Sequence, residues 1–187
     1  TPIARLYGAL AKHRYRRTDP LRVERPVICV GNFTAGGTGK TPMALALAGI
    51  VRSVGFEPWF LSRGYGGALD GPVHVDAGRH SAADVGDEPL LLARSAPTVI
   101  ARDRWAGAAF IASAAPANAV IIMDDGLQNP NITKNFTIAV VDAARGIGNG
   151  CVIPAGPLRA PLAFQVPLAD CFVVNGTTSA NTSPSLD

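Results

Sequence analysis

The chain has 187 residues, of which 48% are hydrophobic and 17% charged, a composition that excludes a disordered protein and allows one ordinary domain with a real core. The formal net charge of +3 is unevenly spread, because residues 1–25 carry seven basic and two acidic side chains and the remainder carries ten basic and twelve acidic ones. The three cysteines, Cys29, Cys151 and Cys171, have no C-x-x-C spacing, which argues against a disulfide framework and a zinc ribbon and fits a reducing compartment.

The N-terminal segment at 3–17 is predicted to form an amphipathic helix that ends before Asp19-Pro20. The apolar residues that share one helical face are Ile3, Leu6, Tyr7 and Leu10. The basic residues that fall largely on other faces are Arg5, Lys12, Arg16 and Arg17. Two interpretations stay open: an ordinary surface helix packed on the domain, or a helix in a membrane interface with its basic residues near lipid phosphates. The sequence contains no run of 18 or more apolar residues, the length that would indicate a transmembrane helix.

From Pro26 onward, short apolar runs alternate with helical patterns. This alternation predicts an α/β fold with a mostly parallel sheet and helices on both faces. Strands are predicted at 27–30, 58–61, 98–101, 119–123, 136–141 and 171–174, helices at 41–54, 87–95 and 103–114, and an excursion of loops and short strands at 68–86. We divide the chain into a basic, membrane-proximal helical segment at 1–25, a core at 26–175 and a polar tail at 176–187.

The loop after the first core strand has the pattern of a nucleotide phosphate loop. Its residues are Thr34, Ala35, Gly36, Gly37, Thr38, Gly39, Lys40 and Thr41. Glycines let backbone N–H groups curl around a phosphate, a lysine reaches the β- and γ-phosphates, and a Thr hydroxyl completes the Mg²⁺ shell. The pattern G-x-x-x-x-G-K-[ST] is broken by Thr34, which stands where the first glycine should be. We assign these eight residues to nucleotide binding and Thr41 also to the metal; the alternative is an ordinary glycine-rich turn.

Two adjacent acids, Asp124 and Asp125, end the predicted strand at 119–123. An apolar strand that ends in an acid is how a phosphate-loop protein brings a carboxylate to Mg²⁺. Paired acids at a strand end would repel each other without a cation. We therefore predict that both acids bind the metal, and the alternative is a helix cap or a turn pair.

Several arginines and one tyrosine follow predicted strands, at the edge of the sheet where doubly wound folds bind ligands. We assign four of these residues to substrate binding: Arg63, Tyr65, Arg102 and Arg104. Asp87 opens the predicted helix at 87–95, where an acid is also expected as a cap.

The motifs together, in order, resemble the tetraacyldisaccharide 4′-kinase family, the lipid A 4′-kinases. The matching segments are Val30–Asn32, Gly36–Pro42, Leu61–Gly67, Gly86–Leu91, Ala101–Arg104, Asp124–Gln128, Val141–Ala143, Gly148–Gly150 and Pro154–Arg159. The phosphate loop alone would be unspecific, whereas Ser-Arg-Gly-Tyr-Gly-Gly at 62–67 and Asp-Asp-Gly-Leu-Gln at 124–128 are highly specific.

The resemblance implies a P-loop kinase that transfers the ATP γ-phosphate, with Mg²⁺, to the 4′-hydroxyl of tetraacyldisaccharide 1-phosphate in lipid A biosynthesis. It implies a lipid disaccharide substrate and a location at the cytoplasmic face of the inner membrane, with attachment through an N-terminal helix. By resemblance, Lys40 and Thr41 handle phosphate and Mg²⁺, and Asp87 is the base for the sugar hydroxyl. Asp124 and Asp125 serve the metal and the Lys/Thr cluster, so the catalytic roles fall to Asp87, Lys40 and Asp125.

Three departures from the family keep an alternative open. The family usually has His where this chain has Asn129 and Glu where it has Ala160. Its members are substantially longer, so we expect that a C-terminal lobe is absent from this chain. A non-catalytic nucleotide-binding remnant and another P-loop nucleotide switch are the alternatives, although no N-K-x-D segment of guanine-specific switches occurs. The basic residues cluster on one helix without interleaved aromatics, which argues against nucleic acid, and no protein partner is indicated.

Overall fold

The fold of the chain is given by a computed structural model that describes residues 2–176. Its helices are α1 (Pro2–Arg17), α2 (Lys40–Ser53), α3 (Ala82–Val85), α4 (Asp87–Ala93), α5 (Arg104–Ala114) and α6 (Leu162–Gln165), followed by a 3₁₀ helix at Val166–Leu168. Its strands are β1 (Val27–Gly31), β2 (Glu57–Ser62), β3 (Val73–His74), β4 (Thr98–Ile100), β5 (Ala119–Asp124), β6 (Phe136–Asp142) and β7 (Cys171–Asn175). The predicted strands and helices of the core are therefore confirmed.

The seven strands form one sheet in the order β3-β4-β2-β5-β1-β6-β7. Among the strands of residues 2–176, only β3 runs antiparallel to its neighbour, and the others pair in parallel. The central strand β1 lies between β5 and β6, with Val30 opposite Asp124. The carboxyl ends of β1 and β5 therefore meet, which places the phosphate loop and the two acids at the same edge of the sheet.

Helices cover both faces of the sheet, because successive strand residues point to opposite sides. In β1, Val27 and Cys29 pack with α5 residues such as Ile111, while Val30 packs with α2 residues such as Leu47. Both faces of the central strands are buried. Near-continuous apolar runs in the sequence are typical of such strands in a parallel sheet.

The N-terminal helix α1 packs on the domain through small residues. Ala4 and Gly8 are buried, and a Cβ atom on Gly8 would lie 3.1 Å from the Pro161 ring. Further along, the Tyr15 ring meets the Phe164 ring edge-on, with centroids 5.4 Å apart. The apolar residues of the predicted stripe are all exposed: Ile3, Leu6, Tyr7 and Leu10. Among residues 2–176, the apolar stripe of α1 is thus left about half or more exposed.

The segment between β6 and β7 holds structure that the sequence patterns do not predict. Turns, α6 and the 3₁₀ helix pack around Phe33, Leu127 and Leu158 beside the end of the sheet. Within residues 2–176, no helix is long and apolar enough to cross a membrane. Of the predicted polar tail, only Gly176 falls within the described residues.

Candidate active site

The phosphate loop joins β1 to α2 and is held by two asparagines. The Asn32 Nδ2 lies 3.1 Å from the Thr38 hydroxyl oxygen, and the Asn175 Nδ2 donates to the Thr38 carbonyl at 3.2 Å. Gly36 and Gly39 have φ angles of 107° and 89°, which favour glycine. At Gly39 a Cβ atom would also lie only 2.2 Å from the Asn175 Nδ2. Backbone strain and the close approach of Asn175 therefore both require a glycine at 39.

A cavity of about 230 Å³ opens on this loop, lined by residues 36–42 and by Glu88 from α4. The loop precedes α2, so its backbone N–H groups lie at a helix N-terminus, where anions bind. Thr41 is one of the residues that line this cavity. The cavity therefore has the chemistry of a phosphate site with a carboxylate at its rim.

Lys40 and Asp125 come together as the sequence predicts. The Lys40 Nζ lies 3.9 Å from the Asp125 Oδ1, and Lys40 as a whole is only 8% exposed. The Arg159 Nη2 donates to the Asp125 Oδ2 at 3.1 Å, and the Arg159 Nε donates to the Thr34 carbonyl at 3.1 Å. Asp125 has a φ of 53°, a conformation that costs energy for a residue with a side chain. The basic side chains of Lys40 and Arg159 thus both contact the Asp125 carboxylate beside the phosphate loop.

Asp124 is buried at the end of β5, and its Oδ1 has no hydrogen-bond partner. Burial, followed by the negative charges of Glu88 and Asp125, raises the pKa of Asp124 to about 7. An unpaired buried carboxylate oxygen beside other acids suits a hard cation such as Mg²⁺. Among residues 2–176, no three His, Cys, Asp or Glu side chains are grouped to hold a metal ion. A magnesium ion at this site would take its other ligands from water and phosphate.

The raised pKa predicts how ligand-free stability depends on pH. An ionised Asp124 destabilises the folded state, a penalty that is absent below the unfolded pKa of about 3.9 and complete above about 7. We therefore expect Asp124→Asn to raise the melting temperature at pH 8 by several degrees and to change it little at pH 4.5. Thermal unfolding of both proteins at the two pH values measures this; an equal effect at both values would contradict it.

Asp87 is the first residue of α4, and its side chain is exposed. The helix cap is Gly86, with no side-chain capping hydrogen bond, so the expectation that Asp87 caps this helix is wrong. Glycine takes the cap because its φ is 88° and a Cβ atom there would lie 2.4 Å from the Tyr65 carbonyl oxygen. Asp87 is therefore not needed to begin its helix.

The four arginine and tyrosine positions assigned to substrate binding behave differently from one another. Arg63 and Tyr65 are exposed after β2. Arg102, after β4, is also exposed and pairs with Asp70 at 2.9 Å. These three positions stay available at the carboxyl edge of the sheet.

Arg104 departs from its assignment to substrate binding, because it is only 3% exposed. Its guanidinium donates to the Ala101 carbonyl at 2.7 Å and to the backbone carbonyl of Asp124 at 3.5 Å. Burial lowers the pKa of Arg104 to about 10. The first residue of α5 turns inward beneath the two acids, so its charge acts on them from within the protein.

Four residues of the site carry contacts that the sequence patterns did not assign to them. Asn32 and Asn175 hold the phosphate loop, Arg159 holds Asp125, and Gln128 donates to the Asn32 carbonyl at 2.8 Å. Arg159 and Gln128 lie in segments that carry the family resemblance, which was the available signal. Asn32 also lies in such a segment, at 30–32, whereas Asn175 lies outside them and no spacing rule identifies it.

Comparisons with known proteins show which family the chain resembles. The family model described as tetraacyldisaccharide-1-P 4′-kinase matches residues 1–186. A tetraacyldisaccharide 4′-kinase of Methylobacterium nodulans is 60% identical to this chain, over all of this chain and 54% of the relative's length. A tetraacyldisaccharide 4′-kinase of Nitrobacter hamburgensis is 55% identical, over 94% of this chain and 51% of the relative's length. The chain thus spans about half the length of the curated relatives it matches.

A solved structure shares the fold. It is a crystal structure of LpxK from Aquifex aeolicus in complex with ATP, which is 29% identical, with a TM-score of 0.81 over 98% of this chain and 59% of that one. The expected α/β, P-loop kinase architecture is therefore confirmed. By the family match over nearly its whole length, the chain belongs to the tetraacyldisaccharide-1-P 4′-kinase family.

Proposed function

We propose that this chain is the ATP-binding part of a kinase that transfers the γ-phosphate of ATP to the 4′-hydroxyl of tetraacyldisaccharide 1-phosphate in lipid A biosynthesis. The observation that carries the proposal is the contact of Lys40 and Arg159 with Asp125 beside a glycine-rich loop. The Aquifex relative with the same fold was crystallised with ATP, and the named relatives are tetraacyldisaccharide 4′-kinases.

Each part of the site has one task in this reaction. The backbone N–H groups of residues 36–41 bind the phosphates, and the Lys40 ammonium neutralises charge on the β- and γ-phosphates. Thr41, Asp124 and Asp125 would hold Mg²⁺, which supplies further charge neutralisation when bound. Asp87 accepts the proton of the attacking sugar hydroxyl, a weak nucleophile without a base.

The three exposed positions Arg63, Tyr65 and Arg102 bind the lipid disaccharide in this proposal. They follow β2 and β4, the strands on the β5 side of β1. Arginine guanidinium groups suit an anionic sugar phosphate, because they offer paired donors of fixed geometry. Arg104 instead stabilises the negative charge of the two acids from the buried side.

A second candidate function is nucleotide binding without transfer. It is favoured by Ala160, which is fully buried in the place where the family usually has a glutamate. Asn129, which replaces the usual histidine, is used within its own turn, where its Oδ1 accepts from the Asn131 backbone N–H at 2.9 Å. Both candidates need ATP binding, and only the kinase needs Asp87.

The transfer assay separates these two candidates. The purified chain is incubated in detergent with Mg·ATP and tetraacyldisaccharide 1-phosphate, and the product is analysed for phosphate at the 4′ position. The kinase proposal predicts a bisphosphorylated lipid, and the binding-only alternative predicts ATP binding with no new lipid phosphate. The same assay on a full-length version separates inactivity of this chain from inactivity of the protein.

We further propose that α1 holds the protein on the inner face of the bacterial inner membrane. Its exposed apolar residues lie between positions 3 and 10, and its last turn carries Arg14, Arg16 and Arg17. An apolar stripe next to a basic turn suits an interfacial helix, with each basic residue near an anionic surface contributing about 1 kcal/mol. Because Ala4 and Gly8 hold the helix on the domain, its stripe is presented on a rigid support.

Binding to vesicles tests this role. We expect Leu6→Glu to weaken binding to vesicles that contain anionic lipid by at least about tenfold, because Leu6 is 63% exposed on the stripe. Ile50→Glu is the matched control, since Ile50 is 57% exposed on α2, and it should change binding by less than about twofold. Binding should also fall as salt rises. Equal effects of the two substitutions, or no salt dependence, would leave α1 as a surface helix only.

A further inference from the structure

The start of the phosphate loop is paired with a distant segment of the chain. Residues 33–35 and 157–159 form a short antiparallel ribbon, with a bridge between Thr34 and Leu158. Its backbone hydrogen bonds run from Ala35 N to the Pro157 oxygen at 2.8 Å and from Arg159 N to the Phe33 oxygen at 2.9 Å. The segment at 154–159, part of the family resemblance, therefore braces the loop from outside.

Behind this ribbon lies the fully buried amide of Gln165. Its Nε2 donates to the Phe33 carbonyl at 3.2 Å and to the Ala160 carbonyl at 2.6 Å. Its Oε1 accepts from the Gln128 Nε2 at 2.6 Å, and Gln128 also donates to the Asn32 carbonyl at 2.8 Å. One side chain thus joins the segments that follow β1 and β5 to the segment that carries Arg159.

The position of Arg159 depends on this arrangement. Its backbone belongs to the ribbon, and its guanidinium reaches both the Thr34 carbonyl and the Asp125 carboxylate at 3.1 Å. The ribbon has only two backbone hydrogen bonds of its own, which would not make it stable alone. Residues 151–153 add two backbone hydrogen bonds to Leu158 on the other side. The buried amide of Gln165 adds three side-chain hydrogen bonds, and these connect the two sides of the ribbon directly.

We infer that Gln165 is a positioning residue that clamps the 157–159 segment to the phosphate loop and thereby keeps Arg159 on Asp125. This inference rests on the proposed ATP-binding function. A buried amide with every partner satisfied is costly to disturb, since its loss leaves the Ala160 carbonyl without this hydrogen-bond partner and removes one of two hydrogen bonds from both the Phe33 carbonyl and the Gln128 amide. The effect of losing it should therefore appear at the site, through Arg159, as well as in overall stability.

The test replaces Gln165 by methionine, which has similar size and no amide. We expect the affinity of the chain for Mg·ATP, measured by calorimetry, to fall about tenfold in Gln165→Met. In an Arg159→Ala background the same substitution should change affinity by less than about twofold, because both residues act through one contact. An equal tenfold loss in both backgrounds would overturn the inference.

A buried control separates positioning from general loss of stability. Thr98 is fully buried, and its hydroxyl donates to the Ala96 carbonyl at 3.0 Å. It lies at the amino end of β4, whereas the phosphate loop lies at the carboxyl end of β1. Thr98→Val should lower the melting temperature and leave Mg·ATP affinity within about twofold. A similar affinity loss in Thr98→Val and Gln165→Met would show that the effect is only stability, and would overturn the inference.

Amide hydrogen exchange in the ligand-free chain tests the clamp without nucleotide. In the unaltered chain the Ala35 and Arg159 amides should exchange slowly, as is also expected of the β1 amides. In Gln165→Met they should exchange at least about tenfold faster, while the Cys29 amide in β1 stays unchanged. Fast exchange of these amides in the unaltered chain would contradict the clamp even if the variant fails to fold. A chain that shows slow exchange but no ATP binding would contradict the proposed function and leave the clamp supported.

Discussion

Lys40→Ala should reduce phosphoryl transfer by roughly a hundredfold to a thousandfold and should weaken ATP binding. The size of the effect follows from the removal of one preorganised charge that faces the transferred phosphoryl group. Lys40 is only 8% exposed and lies 3.9 Å from Asp125, so its loss also leaves a carboxylate near the phosphates with Arg159 as its remaining partner. Calorimetry with Mg·ATP and the transfer assay measure the two effects.

The matched control for this variant is Arg52→Ala. Arg52 is a basic residue in the last turn of the same helix, at the end remote from the phosphate loop, where its guanidinium contacts the Ser95 carbonyl. The substitution Arg52→Ala removes the same net charge as Lys40→Ala, but away from the phosphates. ATP affinity and turnover should therefore stay within about twofold of the unaltered protein. Unchanged ATP affinity and turnover in Lys40→Ala would count decisively against the phosphate loop.

Asp87→Asn should reduce turnover by roughly a hundredfold or more, with a near-normal melting temperature and ATP affinity. The amide cannot accept the proton of the sugar hydroxyl, and general-base catalysis contributes about this much. Stability should be unaffected because Gly86, and not Asp87, caps α4 and the Asp87 side chain is exposed. Turnover is measured in a full-length version of the protein, alongside thermal unfolding.

Asp103→Asn is the control for a carboxylate that does act as a helix cap. The Asp103 Oδ1 accepts from the backbone N–H groups of Trp105 and Ala106 at the start of α5. Because asparagine caps about as well as aspartate, both stability and turnover should stay near normal. Full turnover in Asp87→Asn would remove Asp87 from the reaction, and the role of base would pass to Asp124 or Asp125.

Much of the fold follows from local patterns in the sequence. The apolar runs at β1 and β5 predict buried parallel strands. Because parallel strands have their carboxyl ends at one edge of the sheet, Lys40 is expected near Asp125. The excursion at 68–86 and the α6 region are different. Helices of four residues, such as Leu162–Gln165, are too short to show a helical period, so no pattern could predict them.

Sequence patterns fail to predict the site where the direction of a side chain depends on tertiary packing. Arg104 was expected to face a substrate because it follows β4, but as the first residue of α5 it turns into the interior and bonds to the Asp124 carbonyl. Arg159 reaches Asp125 only because its segment pairs with residues 33–35. That pairing joins residues more than a hundred positions apart, and no local signal encodes it.

The central claim is that the loop at 36–41 binds the phosphates of ATP. Backbone amide NMR of the chain during titration with Mg·ATP tests this most directly, because each N–H group reports on its own surroundings. The account predicts that the largest and saturable shifts occur at the amides of 36–41, with smaller shifts at Asp125 and Arg159. Lys40→Ala should weaken the titration. Saturable shifts centred elsewhere, or no shifts at millimolar Mg·ATP, would contradict the account.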